Sequence, residues 1–519
     1  MDNHPEDAAE GEGPGNPTVS GPERAATEIE GLDAILHGGL PRQQAYLVRG
    51  DSGSGKTTLA MQFCLAGARQ GERTLFLSTC ESEAELRAIA HAHGWSLDGV
   101  TLHYHDVREC LGGHADQSVF HPAEVELPQT IDALLSVIEQ VNPERLVIDS
   151  LSEIRLSAGD PRWFRRQVLA LKDILAERQC TALFTTDARD PDQTVKSVVH
   201  GVVQLEQLAP EYGPDRRRLR VAKLRGQAYA SGYHDFRIRT GGIEVYPRLV
   251  AAEHRGSFAP ETISSGLPEL DALAGGGLDR GTATLMLGPA GTGKSTIAAQ
   301  FATAAARRGE RAAMYVFDER IQTLLERTKG LGLGLQEQIN AGQVEVQQVD
   351  PAELTPGEFS HVVRRAIAER GVRLVVIDSL AGYVHAMPDE RLLTLHLHEL
   401  LSYLSQQGVT VLLVMAQHGL PGTLRHAPFD LSYIADSVLL FHLFECAGEV
   451  RKAISLYKRR SGGHEPTLRP LQLGPDGISL GVPLQAVQGV LSGTPQLVVK
   501  NQAISDVNES KPTERHSDA

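Results

Sequence analysis

Two glycine-rich segments of one type, 50–57 and 288–295, carry the residues best suited to do chemistry in this chain. Each follows a short apolar run and keeps two glycines, a lysine and a hydroxyl residue at the same spacing. Backbone N–H groups of such a loop wrap phosphate groups, the lysine meets their charge, and the hydroxyl oxygen ligates Mg²⁺. The pattern predicts two phosphate-binding loops (P-loops), each at the start of a helix. The predicted nucleotide-binding residues are Gly50, Asp51, Ser52, Gly53, Ser54, Gly55, Lys56, Thr57 and Thr58, with Gly288, Pro289, Ala290, Gly291, Thr292, Gly293, Lys294, Ser295 and Thr296.

Aspartates at the ends of two apolar runs supply the second chemical element. Asp149 and Asp378 each end such a run, so each is predicted at the carboxyl edge of a central strand, where the P-loop also opens. An acid there can hold Mg²⁺ through water. The alternative is an aspartate that caps a turn at a strand end. The predicted metal ligands are Thr57, Asp149, Ser295, Asp318 and Asp378.

A third element is acidic and differs between the two halves. Glu81 follows one hydrophobic run, and Asp318 and Glu319 follow its counterpart. A carboxylate at that edge can accept a proton from the nucleophile that attacks the γ-phosphate, and Lys56 and Lys294 would reach the β- and γ-phosphates. The alternative is helix-capping chemistry, because Ser82 and Arg320 begin segments that look helical.

Two basic pairs occur late in each half, Lys223 with Arg225 and Lys458 with Arg460. Cations spaced by two on a predicted strand lie on one face, where they suit a phosphate supplied by a neighbour. A solvated strand face explains the same pattern equally well.

The matching segments extend well beyond the loops, which begin 238 residues apart. Strands alternating with helical stretches, such as 128–141 and 389–407, predict an α/β fold of two tandem RecA-like P-loop domains. Each is a mainly parallel twisted sheet flanked by helices. The predicted organisation is an acidic disordered tail (1–25), a first domain (26–247), a linker (248–260), a second domain (261–497) and a disordered polar tail (498–519).

Composition narrows the class of protein. The net charge of −15 disfavours non-specific binding to nucleic acid, and no apolar run is long enough to span a membrane. We find no signal peptide and expect a soluble cytoplasmic protein. The five cysteines show neither metal-ligand spacing nor a disulfide framework, and we expect them to be buried.

Together these motifs resemble the KaiC family, the tandem RecA-like ATPases and autokinases of the circadian clock. The resemblance covers roughly residues 25–497 and includes the segment 490–495, which is similar to the family's loop before its C-terminal tail. It implies a double-ring homohexamer with ATP and Mg²⁺ between subunits. It also implies autophosphorylation at Ser432 in the second domain, and Tyr433 stands at the position of the family's second acceptor. The residues that would reach a neighbour's nucleotide are Lys223, Leu224, Arg225, Lys458, Arg459 and Arg460.

The chain departs from the family pattern at four places. Cys80 stands where the family has a glutamate beside Glu81, Asp318 replaces the first glutamate of the second half, Tyr433 replaces a threonine acceptor, and Lys452 replaces an arginine. We therefore keep three functional hypotheses: an ATPase and autokinase that signals to a partner, a nucleotide-gated scaffold without phosphotransfer, and a RecA- or DnaB-like DNA-dependent ATPase. A KaiB-like protein is a candidate partner, while membranes and nucleic acid are not expected.

Overall fold

A computed structural model describes residues 23–106, 122–156, 158, 160–188, 194–210, 213–254, 256–385, 390–416, 433–446, 448–485, 487–488 and 496–497. The chain divides into two compact units, the first ending at Arg248 and the second beginning at Leu249. Ser432 and the segment 490–495 lie outside the described residues. Within the described parts of the chain, no helix is long and apolar enough to cross a membrane.

The first unit alternates strands and helices. Its strands are β1 (Arg24–Ala25), β2 (Leu40–Pro41), β3 (Ala45–Gly50), β4 (Thr74–Ser78), β5 (Val100–Tyr104), β6 (Arg145–Asp149), β7 (Thr181–Asp187), β8 (Gly201–Leu208), β9 (Arg216–Leu224), β10 (His234–Arg239) and β11 (Gly242–Tyr246). Its helices are α1 (Glu30–Ile35), α2 (Lys56–Arg69), α3 (Glu83–Ala92), α4 (Pro122–Val141), α5 (Leu151–Leu156), α6 (Pro161–Glu177) and α7 (Thr194–Val198).

The second unit repeats this succession after a short 3₁₀ helix, Ala251–Glu253. Its strands are β12 (Thr262–Ile263), β13 (Leu278–Asp279), β14 (Ala283–Gly288), β15 (Arg311–Val316), β16 (Val344–Gln348), β17 (Val372–Asp378), β18 (Thr410–Ala416), β19 (Ser437–Cys446), β20 (Glu449–Arg459), β21 (Arg469–Gly474), β22 (Gly477–Leu480), β23 (Val487–Gln488) and β24 (Gln496–Leu497). Its helices are α8 (Pro268–Leu273), α9 (Lys294–Arg307), α10 (Ile321–Gly330), α11 (Leu335–Asn340), α12 (Pro356–Arg370), α13 (Leu380–His385) and α14 (Glu390–Gln406).

Each unit contains one nine-stranded sheet, and the two sheets have the same strand order when read from opposite edges. The orders are β11-β10-β9-β8-β3-β7-β6-β4-β5 and β16-β15-β17-β18-β14-β19-β20-β21-β22. The P-loop strands β3 and β14 lie inside the parallel part, where each pairs in parallel with both neighbours. The last three strands of each sheet run antiparallel at one edge. This arrangement confirms the predicted fold class.

The central strands are covered on both faces, which explains why they are continuous apolar runs in the sequence. Leu47 and Val48 are neighbours on β3, yet each is at most 1% exposed and each belongs to a different core cluster, one on each face of the sheet. Full burial of a leucine or valine side chain stabilises the fold by about 1.5–3 kcal/mol. The P-loop strands are therefore held rigidly from both sides.

Several boundaries differ from the sequence expectations. Helix α4 begins at Pro122 and contains Pro128, which we expected at its start. Arg24–Ala25, at the end of the predicted tail, pair with β2. Leu249 and Ala251, in the predicted linker, are buried in the core of the second unit. Among the described cysteines, Cys64 and Cys180 are buried as expected, whereas Cys80 is exposed and Cys446 is partly exposed.

Candidate nucleotide sites

The two P-loops have the same backbone geometry. Gly53 and Gly55 have φ values of 79° and 99°, and Gly291 and Gly293 have 78° and 102°. These values lie in the left-handed region, which glycine adopts without strain. Gly55 and Gly293 directly precede α2 and α9, so the loop amides and the first turn of each helix face the same space. In both units this is the geometry of an anion-binding turn at a helix N-terminus.

The P-loop lysines make equivalent contacts in both units. The ammonium of Lys56 donates to the carbonyls of Gly50 and Asp51, at 2.8 and 3.0 Å. The ammonium of Lys294 donates to Gly288 and Pro289, at 2.8 and 2.7 Å. Each cation is thus folded over its loop.

Burial separates Lys294 from an ordinary lysine. It is 6% exposed, and this burial lowers its pKa to about 8, against a smaller opposing effect of Asp378. Phosphate groups would restore a favourable environment for its positive charge. We therefore expect nucleotide binding at this loop to be coupled to the protonation of Lys294.

The predicted metal-binding hydroxyls meet the strand-end aspartates. Thr57 donates to Oδ2 of Asp149 at 2.7 Å, and Ser295 makes the corresponding hydrogen bond to Asp378. Both aspartates are buried, and burial raises the pKa of Asp378. Each pair presents hydroxyl and carboxylate oxygens, which are ligands that suit Mg²⁺.

A bound Mg²⁺ would need further ligands from the nucleotide. Within the described residues, no group of three or more His, Cys, Asp or Glu side chains is arranged to hold a metal ion. Mg²⁺ is commonly held by one or two carboxylates together with substrate phosphates. The Thr57–Asp149 and Ser295–Asp378 pairs fit that mode of binding.

Glu81 lies near Asp149, the partner of Thr57, and has no cationic partner in the described part of the chain. Its carboxylate accepts a hydrogen bond from Ser78 at 3.3 Å. Burial, and then the nearby charge of Asp149, raise the pKa of Glu81. The helix-capping alternative applies to its neighbour, because Ser82 forms a reciprocal capping box with Glu85 at the start of α3. Glu81 is therefore left available, with the raised proton affinity that suits a general base.

The two acids of the second unit have different partners. Asp318 is exposed and accepts a hydrogen bond from the hydroxyl of Ser379, the residue after Asp378. Glu319 forms a two-pronged ion pair with Arg327 of α10. Asp318 and Glu319, both expected as candidate general bases, therefore lie in two distinct environments.

The basic pair of the first unit lies at the amino ends of the parallel strands, whereas the P-loop follows their carboxyl ends. Leu224, at the end of β9, pairs with Gly201, and Gly201 pairs with Tyr46 near the start of β3. Lys223 donates to the carbonyl of Val199 at 2.7 Å, and Arg225, just past the strand, donates to that of Ser197 at 2.5 Å. About 17 Å of strand separates this edge from the P-loop. Neither cation can reach the P-loop of its own unit.

The same relationship holds in the second unit. Lys458 donates to the carbonyl of Ala435 at 2.9 Å, and Arg460 contacts Asp436 at 3.3 Å and the carbonyl of Tyr433. The Tyr433 side chain is 54% exposed. These residues adjoin the amino end of β19, which pairs with the amino end of β14. Tyr433 therefore lies at the amino ends of these strands, and the second P-loop lies at their carboxyl ends.

Two residues predicted to bind nucleotide have side chains engaged elsewhere. The Leu224 side chain is buried in the core of the first unit. The Arg459 guanidinium, 5% exposed, pairs with Asp279 at 2.8 Å. Because of these contacts, only the backbone of these two residues is suitably placed to contact a nucleotide.

Sequence reasoning missed three residues of these sites. Thr185 on β7 donates to Asp149, and its polarity within an apolar strand beside β3 is a usable signal. Ser379 follows a strand-end aspartate as Ser150 does, so the repeated Asp-Ser pair could have indicated it. Arg327 has no counterpart, because Ile89 occupies its place in the first half, and comparison of the halves could not have found it.

A cavity of about 680 Å³ lies away from both candidate nucleotide sites. It lies in the second unit, where its lining includes Arg311 and Arg373 at the amino ends of β15 and β17. That edge is opposite the P-loop. Arg311 and Arg373 donate to the backbone carbonyls of Arg370 and Gln407, at 2.9 and 3.0 Å.

The repeated sheet order, the P-loops and the strand-end acids define a tandem P-loop ATPase. A family model described as "ATPase: KaiC" matches residues 25–250 and again 263–484. The chain belongs to the KaiC ATPase family, and this membership supports ATP binding and hydrolysis.

Relatives match over nearly the whole chain. A circadian clock oscillator protein KaiC of Picosynechococcus is 26% identical over 498 residues, covering 94% of this chain and 95% of the relative. A circadian clock protein KaiC3 of Synechocystis is 26% identical, covering 93% and 97%. A circadian clock oscillator protein KaiC of Acaryochloris marina is 26% identical, covering 91% of each.

Proposed function

We propose that this protein is a Mg²⁺-dependent ATPase with a competent site in each domain, assembled as a homohexamer, which also phosphorylates itself on Ser432 or Tyr433. The observation that carries the proposal is the repeated arrangement of P-loop lysine, hydroxyl and strand-end aspartate, at Lys56, Thr57 and Asp149 and again in the second domain. Because this arrangement of lysine, hydroxyl and aspartate occurs in both domains, a shared function explains it better than a purely structural role in each.

Hydrolysis in the first domain would use the residues around the P-loop of that domain. Loop amides and Lys56 bind and orient the phosphates, and Asp149 with Thr57 would hold Mg²⁺, which supplies charge neutralisation when it is bound. Glu81 accepts the proton of the attacking water, a role that its raised pKa favours.

Assembly is supported by the position of the basic pairs. Lys223 and Arg225 lie at the amino ends of the parallel strands, away from the P-loop of their own domain. Their cationic groups can therefore contact a nucleotide only in another copy of the domain. A ring brings that edge of one subunit against the P-loop edge of the next. Closed cyclic assembly satisfies every such contact.

Self-phosphorylation rests on the same geometry. Tyr433 lies beside Arg460 at the edge that would face a neighbouring second-domain nucleotide, and Ser432 directly precedes it. Transfer would therefore occur between subunits. The phosphorylated form would then signal to a protein partner, of which a KaiB-like protein is one candidate.

A nucleotide-gated scaffold without phosphotransfer is the second candidate. It is favoured by the engagement of Glu319 with Arg327, which occupies a carboxylate suited to activate the acceptor. A DNA-dependent motor is opposed by the net charge of −15.

The test follows γ-labelled ATP with Mg²⁺ and the purified full chain. Released phosphate and label retained on the protein are counted separately, and mass spectrometry locates the modified residue. Label on Ser432 or Tyr433, abolished by Ser432→Ala with Tyr433→Phe, is expected for an autokinase. Phosphate release with no retained label would leave the scaffold hypothesis, and the absence of both would refute ATPase function.

A further inference from the structure

The carboxylate of Glu319 is held by an arginine that the first domain lacks. We propose that Arg327 is a positioning residue which withholds Glu319 from proton transfer and thereby slows ATP turnover at the second site. This inference rests on the proposed ATPase function and adds a restraint specific to one of its two sites.

The ion pair engages both oxygens of the carboxylate. The terminal nitrogens of Arg327 donate to Oε1 and Oε2 separately, and the second of these distances is 2.9 Å. Paired donation from a planar guanidinium fixes a carboxylate in orientation as well as in place. A nucleophile therefore competes with the arginine for the same oxygens.

The helix geometry explains how the contact forms. Glu319 precedes α10, and Arg327 lies on its second turn. Long side chains on a helix lean towards its N-terminus, so Arg327 extends back towards the end of β15. Its Nε is buried and has no hydrogen-bond partner among the described residues, which leaves Glu319 as the group that fixes the guanidinium.

The Glu319–Arg327 ion pair is close, but water still reaches it. The side chains of Glu319 and Arg327 are 23% and 33% exposed. Water screens such a pair, so its contribution is that of a surface ion pair rather than a buried one. The contact can therefore open during a catalytic cycle, and the expected effect on rate is modest.

The first domain provides an internal comparison. Glu81 corresponds to Glu319, but Ile89 stands where Arg327 lies, and Glu81 accepts a hydrogen bond from Ser78. Two sites with the same loops, hydroxyls and aspartates thus differ in whether a cation occupies the base. The presence of the cation depends on one side chain, Arg327, and can be reversed by mutation.

The proposed chemical step at the second site needs a group that accepts the nucleophile's proton. The oxygen of water, or of a protein hydroxyl, bonds to the γ-phosphorus as the bond from phosphorus to the β–γ bridging oxygen breaks, leaving ADP. The nucleophile's proton passes to a carboxylate oxygen of Glu319. Each oxygen keeps a second lone pair, but the cation of Arg327 lowers the basicity of the carboxylate and fixes its orientation, so proton transfer is favoured once the ion pair opens.

The experiment measures ATP turnover by the full chain carrying Glu81→Gln, which silences the first site while retaining its P-loop. In this background Arg327→Ala and Arg327→Gln are each expected to raise kcat about fivefold, a factor that corresponds to about 1 kcal/mol. KM is expected to change by less than about twofold, because the phosphate contacts are untouched. Arg327→Lys should give an intermediate kcat, since a lysine pairs without the two-pronged fork.

Two comparisons separate positioning from a general structural effect. Arg365→Ala removes an exposed arginine paired with Glu369 in the same domain and should leave kcat unchanged. Adding Glu319→Gln to Arg327→Ala should abolish the gain, because the arginine acts through that carboxylate.

The outcomes distinguish this inference from the proposed function. A kcat that Arg327→Ala leaves unchanged or lowers, or a gain that persists with Glu319→Gln, would overturn the inference while leaving the ATPase function standing. Failure of the wild-type chain to release phosphate would overturn the ATPase function and this inference together.

Discussion

The hydroxyl of Thr57, on the first turn of α2, lies 2.7 Å from Oδ2 of Asp149 at the end of β6. These residues are 92 positions apart in the chain, and the sheet brings them together because β6 and β3 flank β7 in parallel. The contact joins the P-loop to the strand-end acid, and Ser295 with Asp378 repeats it.

Asp149→Asn is expected to weaken Mg²⁺ binding at the first site, because the amide keeps the shape but loses the charge. We expect a roughly 10–100-fold higher Mg²⁺ requirement for ATP hydrolysis in a chain whose second site is silenced by Lys294→Ala, which removes the P-loop lysine. A magnesium titration of phosphate release measures it. Asp98→Asn, at an exposed position, is the matched control, and an unchanged magnesium requirement for Asp149→Asn would contradict the assignment.

Hydrolysis by the first site should depend on pH through Glu81. The base must be ionised, and burial together with Asp149 raises its pKa, so activity is lost as the pH falls through that raised value. The acid limb should lie above the ordinary range for glutamate. A pH profile of kcat measured with the second site silenced tests this, and a limb in the ordinary range would argue against Glu81.

Nucleotide binding at the second P-loop should take up protons above pH 8. Burial lowers the pKa of nucleotide-free Lys294 to about 8, and bound phosphates would raise it again. Affinity should therefore fall as the pH rises through that value, with proton uptake on binding at about pH 8.5.

Calorimetry in buffers with different ionisation enthalpies measures this proton uptake. Lys294→Arg should remove it, because arginine remains charged, whereas Lys56→Arg should not. Equal uptake by the wild type and Lys294→Arg would show that another group carries the effect.

The sequence predicted the parts of the site that are duplicated and local. A P-loop depends on consecutive residues, and an aspartate that ends an apolar run is placed by strand geometry alone, so Asp149 and Asp378 were recognisable. The partners of Glu81 and Glu319 depend on single side chains, Ser78 and Arg327, that differ between the halves. Their contacts follow from packing, which no periodicity encodes.

Sharing of sites between subunits predicts complementation. Glu81→Gln lacks the base of the first site, and Arg225→Ala lacks the cation that would serve a neighbour. With the second site silenced in both chains, each variant alone should be nearly inactive. Equal mixing should restore about a quarter of wild-type turnover, because a random ring pairs an intact Glu81 with an intact Arg225 at that frequency. Phosphate release after dissociation and reassembly measures it, and no recovery would place Arg225 outside the site.

Arg145, the first residue of β6, is a buried cation in a strand whose central residues are apolar. Its side chain is fully buried, 2.5 Å from Glu72, and also donates to the carbonyls of Ala26 and Phe63, at 2.7 and 3.1 Å. Burial alone would raise the pKa of Glu72, but its hydrogen bonds to Arg145 and Arg42 outweigh that effect and lower it. The cation thus ties the first strand of the domain to α2 and β6.

Arg145→Ala should destabilise the first domain by about 3 kcal/mol, because it removes the hydrogen bonds to the carbonyls of Ala26 and Phe63 and one of two partners of a nearly buried carboxylate. Guanidinium unfolding of the full chain, followed by Trp95 and Trp163, both in that domain, measures the change. Arg73→Ala is the matched control: its side chain is 56% exposed and lies 3.6 Å from Glu144, and we expect less than about 0.5 kcal/mol. Similar costs for the two variants would mean that the buried contacts of Arg145 do not contribute more than a surface ion pair.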